Sequence, residues 1–139
     1  MTKALKPSDL GDDPLIRRGP AWDAAHLIHP ETSMIKRISL LARKSGIDAD
    51  EFERRWFGQH AAMVRQVDGV KGYVQNKVES ATGSIQSIDG IAEVWFADAA
   101  SMTSVLASPQ WQAVVADARE FLGDVTALSI DERTVVPVR

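Results

Sequence analysis

A chain of 139 residues has the length of one domain, and 45% apolar with 25% charged residues is the make-up of a globular chain, which excludes the disordered and fibrous classes. The net charge of −3, with no basic stripe, excludes electrostatic capture of nucleic acid. Cysteine is lacking, which excludes disulfides, thiolate nucleophiles and cysteine-ligated zinc. No apolar run reaches the length of a membrane span and Met1 to Leu10 hold no secretory h-region, so the chain reads as cytoplasmic and apart from membranes.

Residues 1–33 read as an irregular N-terminal arm. Four of the six prolines (Pro7, Pro14, Pro20, Pro30) fall there, each removing a donor and turning its predecessor away from helix. Such an arm is either loose or docked through Trp22, Leu27 and Ile28 onto the domain or a partner subunit. His26 and His29, with Glu31 nearby, are too few for a metal centre, since structural zinc takes four ligands and catalytic zinc three plus water. No metal is expected.

Residues 34–139 form the expected domain. Met34 to Ala42 is rich in β-competent residues and reads as the first strand. Asp48 and Asp50 offer a cap and negative charge for a helix start. From Asp50, the residues Phe52, Trp56, His60 and Val64 recur at four-residue steps, the mark of one buried helix face. Gly69 suits the end of that helix. Gly72 to Glu79 is a second strand and Ile88 to Ala97 a third, the latter dense in branched and aromatic residues. Asp98 caps a second helical region, broken at Ser108-Pro109 and resumed through Trp111, Val114, Val115, Ala118 and Phe121. Gly123 is expected to end it, and Val125 to Val138 to supply a long fourth strand.

The order β-α-β-β-α-β is the ferredoxin-like α+β motif, an antiparallel sheet with two helices on one face. Strand three is apolar on both sides, with Ala92, Val94 and Phe96 on one and Ile91 and Trp95 on the other. The uncovered face therefore calls for a second sheet, and a second copy of the chain is the economical source. A homodimer is expected.

Phe52, Trp56 and His60 at four-residue steps, Gly69 and Tyr73 leading into strand two, and the segment from Asp89 to Phe96 (DGIAEVWF) together resemble the EthD-type branch of the dimeric α+β barrel superfamily. The resemblance spans Met34 to about Val136. It implies paired sheets forming a barrel with a pocket in each protomer. Members include small cofactor-free isomerases of aromatic catabolism, among them 4-methylmuconolactone methylisomerase, and polyketide-modifying enzymes. The missing cysteine closes any thiol-based mechanism of such relatives, and the arm lies outside their shared core.

Several residues carry two readings each. His60, on a greasy helix face, is either a buried imidazole bonded to a backbone carbonyl or a pocket base kept neutral by burial. Tyr73 is the single tyrosine, a donor to a substrate oxygen or a cross-strand aromatic. Glu93 shares a face with Asp89, Ile91 and Trp95, and an ion pair with Arg37 or Lys77 is the stronger reading over a catalytic acid. Trp56, Trp95 and Trp111 with Phe96 wall a ligand pocket or simply fill the core. Glycine-rich phosphate loops and nucleophile elbows are missing, so no cofactor is expected. The resulting expectation is a cofactor-independent, isomerase-like enzyme for a small apolar oxygenated compound such as a lactone, dienone or aromatic-derived acid. His60 and Tyr73 are its catalytic candidates, and Trp56, Glu93, Trp95 and Arg37 its substrate-binding ones. The alternative is a dimeric binding or accessory protein of a catabolic pathway that holds a ligand without changing it.

Overall fold

The computed structural model describes residues 34–84 and 87–139. The expectations for the arm, including Trp22 docking and the His26–His29 pair, lie outside the described residues. The strands are β1 (Ile35–Arg43), β2 (Gly72–Lys77), β3 (Gly90–Phe96) and β4 (Leu122–Ile130); the helices are α1 (Ala49–Arg55), α2 (Ala61–Arg65), α3 (Ala99–Ala107) and α4 (Pro109–Ala118). Between α1 and α2 runs a single π-helical turn, Trp56–His60. The sheet order is β2-β3-β1-β4 with every pair antiparallel, the ferredoxin-like arrangement.

Capping sets the helix starts. Asp48 accepts from the Glu51 backbone N–H at 2.8 Å, so it and not Asp50 is the α1 cap. Asp98 does the same for Ser101 at 2.7 Å, and the Ser108 hydroxyl accepts from Trp111 N–H at 3.2 Å with Pro109 as first helical residue.

Side-chain alternation then sorts the sheet into two faces. Arg37, Ser39 and Leu41 of β1, with Ala92, Val94 and Phe96 of β3, face the helices. Lys36, Ile38 and Leu40, with Ile91, Glu93 and Trp95, face away. Helix-side burial forms two clusters, one around Trp56, Phe52, Phe121 and Leu41, the other around Val64, Val94, Phe96 and Val114, and Tyr73 packs against both. Gly90 is where the Trp56 indole lies flush on β3: a Cβ there would stand 2.5 Å from its ring.

Several boundaries depart from expectation. β2 stops at Lys77 and β3 spans Gly90–Phe96, each shorter than expected. Gly123 does not end a helix; it is the second residue of β4. That strand ends at Ile130, where its only neighbour in the sheet runs out, Ile130 pairing with Lys36 one residue from the start of β1. Beyond it the ladder has no partner strand among the described residues, and Val135, Val136 and Val138 stand exposed. Among the described residues no helix is long and apolar enough to cross a membrane.

Candidate functional site

The helix from Ala49 to Arg65 buries Phe52, Trp56, His60 and Val64 on one face. In a regular α-helix a four-residue step overshoots the turn by about 40°, so four such residues would drift around the helix by about 120°. The wider π turn absorbs part of that drift. Its signature bond runs from the Ala61 N–H to the Trp56 carbonyl, five residues back. The turn thus keeps Trp56 and His60 in line over the sheet.

His60 is 6% exposed, and its Nδ1 lies 2.9 Å from Asp117 Oδ2 of α4. The other Asp117 oxygen accepts from Gln59 Nε2 at 3.1 Å. Asp117 therefore orients the imidazole, holding the proton on Nδ1. Nε2 has no hydrogen-bond partner among the described residues and is left as the basic nitrogen. Burial holds the His60 pKa below its ordinary 6.5, against the opposing hydrogen bond and charge of Asp117. The Phe121 ring meets the imidazole edge-on at 5.2 Å.

Tyr73 reaches the same region from β2. Gln75 Nε2 donates to the Trp56 carbonyl at 2.8 Å and to the Tyr73 hydroxyl oxygen at 3.1 Å. A carbonyl only accepts, so the Gln75 amide must present its NH2 group here, and the tyrosine oxygen is the acceptor. The Tyr73 proton is then free to point elsewhere. Burial raises the phenol above its ordinary range; the Gln75 amide, and after it the Trp56 indole, pull the other way. The indole acts through its dipole alone, for its buried N–H meets no acceptor in hydrogen-bonding geometry.

A cavity of about 430 Å³ adjoins these groups, a volume ordinary for small-molecule sites. His60, Tyr73, Trp56, Arg37 and Trp111 line it. Glu93 and Trp95 do not: strand alternation turns both to the opposite face of the sheet. Glu93 pairs with Lys36, Nζ to Oε1 2.7 Å, not with Arg37 or Lys77. The same alternation explains it, since Lys36 shares the outer face with Glu93 while Arg37 faces inward. Lys36 also reaches Glu132 at 2.5 Å and sits 4.8 Å over the Trp95 ring. Lys77 serves Glu53 of α1 at 2.8 Å. Among the described residues no three His, Asp or Glu side chains cluster as metal ligands would.

Sequence reasoning missed Asp117 and Gln75. Asp117 stands three residues after the buried Val114, inside the inner arc of α4, which was the signal available. Gln75 alternates with Tyr73 on β2 and so shares its face.

Comparison with known proteins agrees with this architecture. A Rhodococcus erythropolis protein, an uncharacterized 11.0 kDa product of the thcB-thcC intergenic region, is 33% identical over 91 residues, covering 65% of this chain and 88% of its own. Among solved structures, an ethyl tert-butyl ether D (EthD) family protein of Bacillus halodurans superposes with TM-score 0.64 at 20% identity, over 73% of this chain and 100% of that one. A dimeric ferredoxin-like protein of unknown function from Thermobifida fusca gives 0.57 at 15%, over 70% and 91%. SnoaB of Streptomyces nogalater, a cofactor-independent oxygenase, gives 0.54 at 14%, over 76% and 98%. The EthD domain model matches residues 44–124, from the loop after β1 to the start of β4. That stretch holds α1, the π turn and α4 with its Asp117, and on it the chain belongs to the EthD domain family.

Proposed function

We propose that the protein is a cofactor-independent, isomerase-like enzyme that moves a proton on a small, largely apolar oxygenated molecule. The observation that carries this reading is the His60–Asp117 pair beside the cavity. A neutral imidazole held by a carboxylate is suited to take a proton at Nε2, and Asp117 stabilises the imidazolium that forms. In the step itself the C–H bond α to a carbonyl breaks and the proton goes to His60. The electron pair shifts into the enolate, whose oxygen receives the Tyr73 O–H. Where a double bond conjugated with it extends the enolate to a dienolate, His60 returns the proton to the γ carbon, the double bond shifts by one position, and the isomerisation is complete. A donor aimed at such an oxyanion in a water-poor site lowers the barrier by roughly 3 kcal/mol. The fold-level likeness to a cofactor-independent oxygenase supports side-chain chemistry on this scaffold. The dimeric Thermobifida relative, with the apolar outer sheet face described above, supports a homodimer.

The test is deuterium uptake. A panel of lactones and unsaturated ketones is incubated with the protein in D2O, and exchange at carbons α to the carbonyl is read by NMR. His60→Gln is expected to lower the exchange rate at least about a hundredfold with the fold intact. Tyr73→Phe is expected to lower it about tenfold or more. A folded His60→Gln variant exchanging at the wild-type rate would remove His60 from the chemistry.

A further inference from the structure

We infer that the ligand of this cavity is a small apolar carboxylic acid whose carboxylate is held by Arg37. The claim deepens the proton-transfer reading, on which it rests for which end of the acid reacts. The charge pattern argues for it first. The whole chain carries 19 acidic and 16 basic residues, yet among the described residues the cavity lining includes Arg37, Arg119 and His60 and no Asp or Glu.

Of the two lining arginines Arg37 is the less exposed, and burial draws its pKa below the ordinary guanidinium value. A partly desolvated guanidinium gains from a counter-charge. Among the described residues, the carboxylates of Glu93, Glu132 and Asp117 are committed elsewhere. Glu93 and Glu132 serve Lys36 on the far face of the sheet, and Asp117 serves His60 and Gln59. Directly across from Arg37 stand Val94 and Ser129, neither of them charged. Among the described residues it makes no salt bridge, so a rigid five-donor fork suited to bidentate carboxylate binding points into a cavity and meets no anion there.

The remaining walls decide what the anion is attached to. Leu41, Val64, Val94, Val114 and Trp111 are apolar, which suits a flat hydrocarbon or aromatic body and not a sugar or a phosphate ester. Arg37 and Tyr73 pair with Val94 from opposite sides, so the cationic end and the Tyr73 end of the floor stand two strands apart, about 10 Å. A ligand that meets both therefore carries its carboxylate apart from the carbon that loses the proton.

The test uses the full chain and two probes of one shape, 2-naphthoate and its neutral isostere 2-naphthamide, titrated by calorimetry. Wild type is expected to bind the naphthoate at least about tenfold more tightly than the amide, the scale of a charge-assisted contact. Arg37→Gln is expected to level the two affinities, and Arg37→Lys, which keeps the charge and most of the bulk, to retain part of the preference. Equal affinities in wild type, a preference that survives Arg37→Gln, or no binding of either probe overturns the carboxylate assignment. Proton transfer is read separately, by deuterium exchange in His60→Gln. That variant is expected to keep the naphthoate preference, so a failed exchange experiment with the preference intact strikes the chemistry and not the ligand class.

Discussion

At the scale of single residues, His60 couples stability to pH in a direction that follows from its surroundings. Its pKa in the folded protein lies below the unfolded value of 6.5, with burial the dominant cause. Below that unfolded value the denatured chain takes up a proton that the native chain refuses, so stability is lost as pH falls from 6.5 toward the depressed native pKa. Glu93 acts in a lower window. Lys36, and after it Asn76, hold its pKa beneath 4.5, so its contribution is present above 4.5 and lost as pH drops through the native value. Melting temperature between pH 7.5 and pH 5 isolates the imidazole. The wild-type Tm is expected to fall across that range, and His60→Gln to fall less steeply. Parallel curves for the two proteins would show that His60 is not the residue being titrated. On the proton-transfer reading proposed above, the same shift would extend the form with a neutral His60 to mildly acid pH, below the ordinary histidine range.

At the scale of elements, the π turn and β2 are tied by one side chain. Gln75 spends both amide protons, on the Trp56 carbonyl of the π turn and on the Tyr73 hydroxyl. Replacing it by leucine keeps the bulk, removes both bonds and leaves a part-buried hydroxyl to find another partner. A loss of about 1–3 kcal/mol is expected, read as a lower urea midpoint with an unchanged slope, together with slower deuterium exchange as Tyr73 loses its orientation. An unchanged midpoint would mean that the turn is held by backbone bonds alone. The existence and order of the elements was legible in the chain, because apolar spacing, the Asp48, Asp98 and Ser108 caps and Pro109 are all local signals. The π turn was not, since a four-residue apolar step fits an α-helix and a π turn alike. Asp117 was hidden for a different reason: its partner lies on another helix, and only the packed crossing of α4 over the π turn brings it within 2.9 Å of His60. The end of β4 was in part a property of its neighbour, for β1 runs out beside Ile130; Val135 and Val136 are β-competent in themselves, while Pro137 after them has no N–H to give a ladder.

At the scale of the whole molecule, the sheet face away from the helices remains to be covered. Ile38, Leu40, Ile91 and Trp95 lie on it half-buried, and Val74 and Leu128, at 42% and 41% exposed, flank them. Toward one end of it, level with Trp95 and Ile130, Lys36 is only 8% exposed, held by Glu93 and Glu132. A mostly apolar surface with one satisfied ionic cluster has the character of an interface core, in which the charged group fixes the way two copies meet while the aliphatic area supplies the drive. A second copy facing it would bury a surface of the standard size, roughly 800 Å² per partner. Val74 and Leu128 stand on the outer strands β2 and β4, so a carboxylate at each sits within the contact without disturbing the helix-side core. The double variant Val74→Asp, Leu128→Asp is therefore expected to fold, with unchanged far-UV circular dichroism, and to sediment at the mass of one chain where wild type sediments at twice that mass. A double variant that still runs at twice the chain mass would place the interface on another surface, and a monomeric wild type would leave the outer face wet. The cavity lies on the helix side of the sheet, the face opposite Val74 and Leu128. A dissociated double variant is accordingly expected to keep its preference for 2-naphthoate, and loss of that preference on dissociation would show that the partner completes the site.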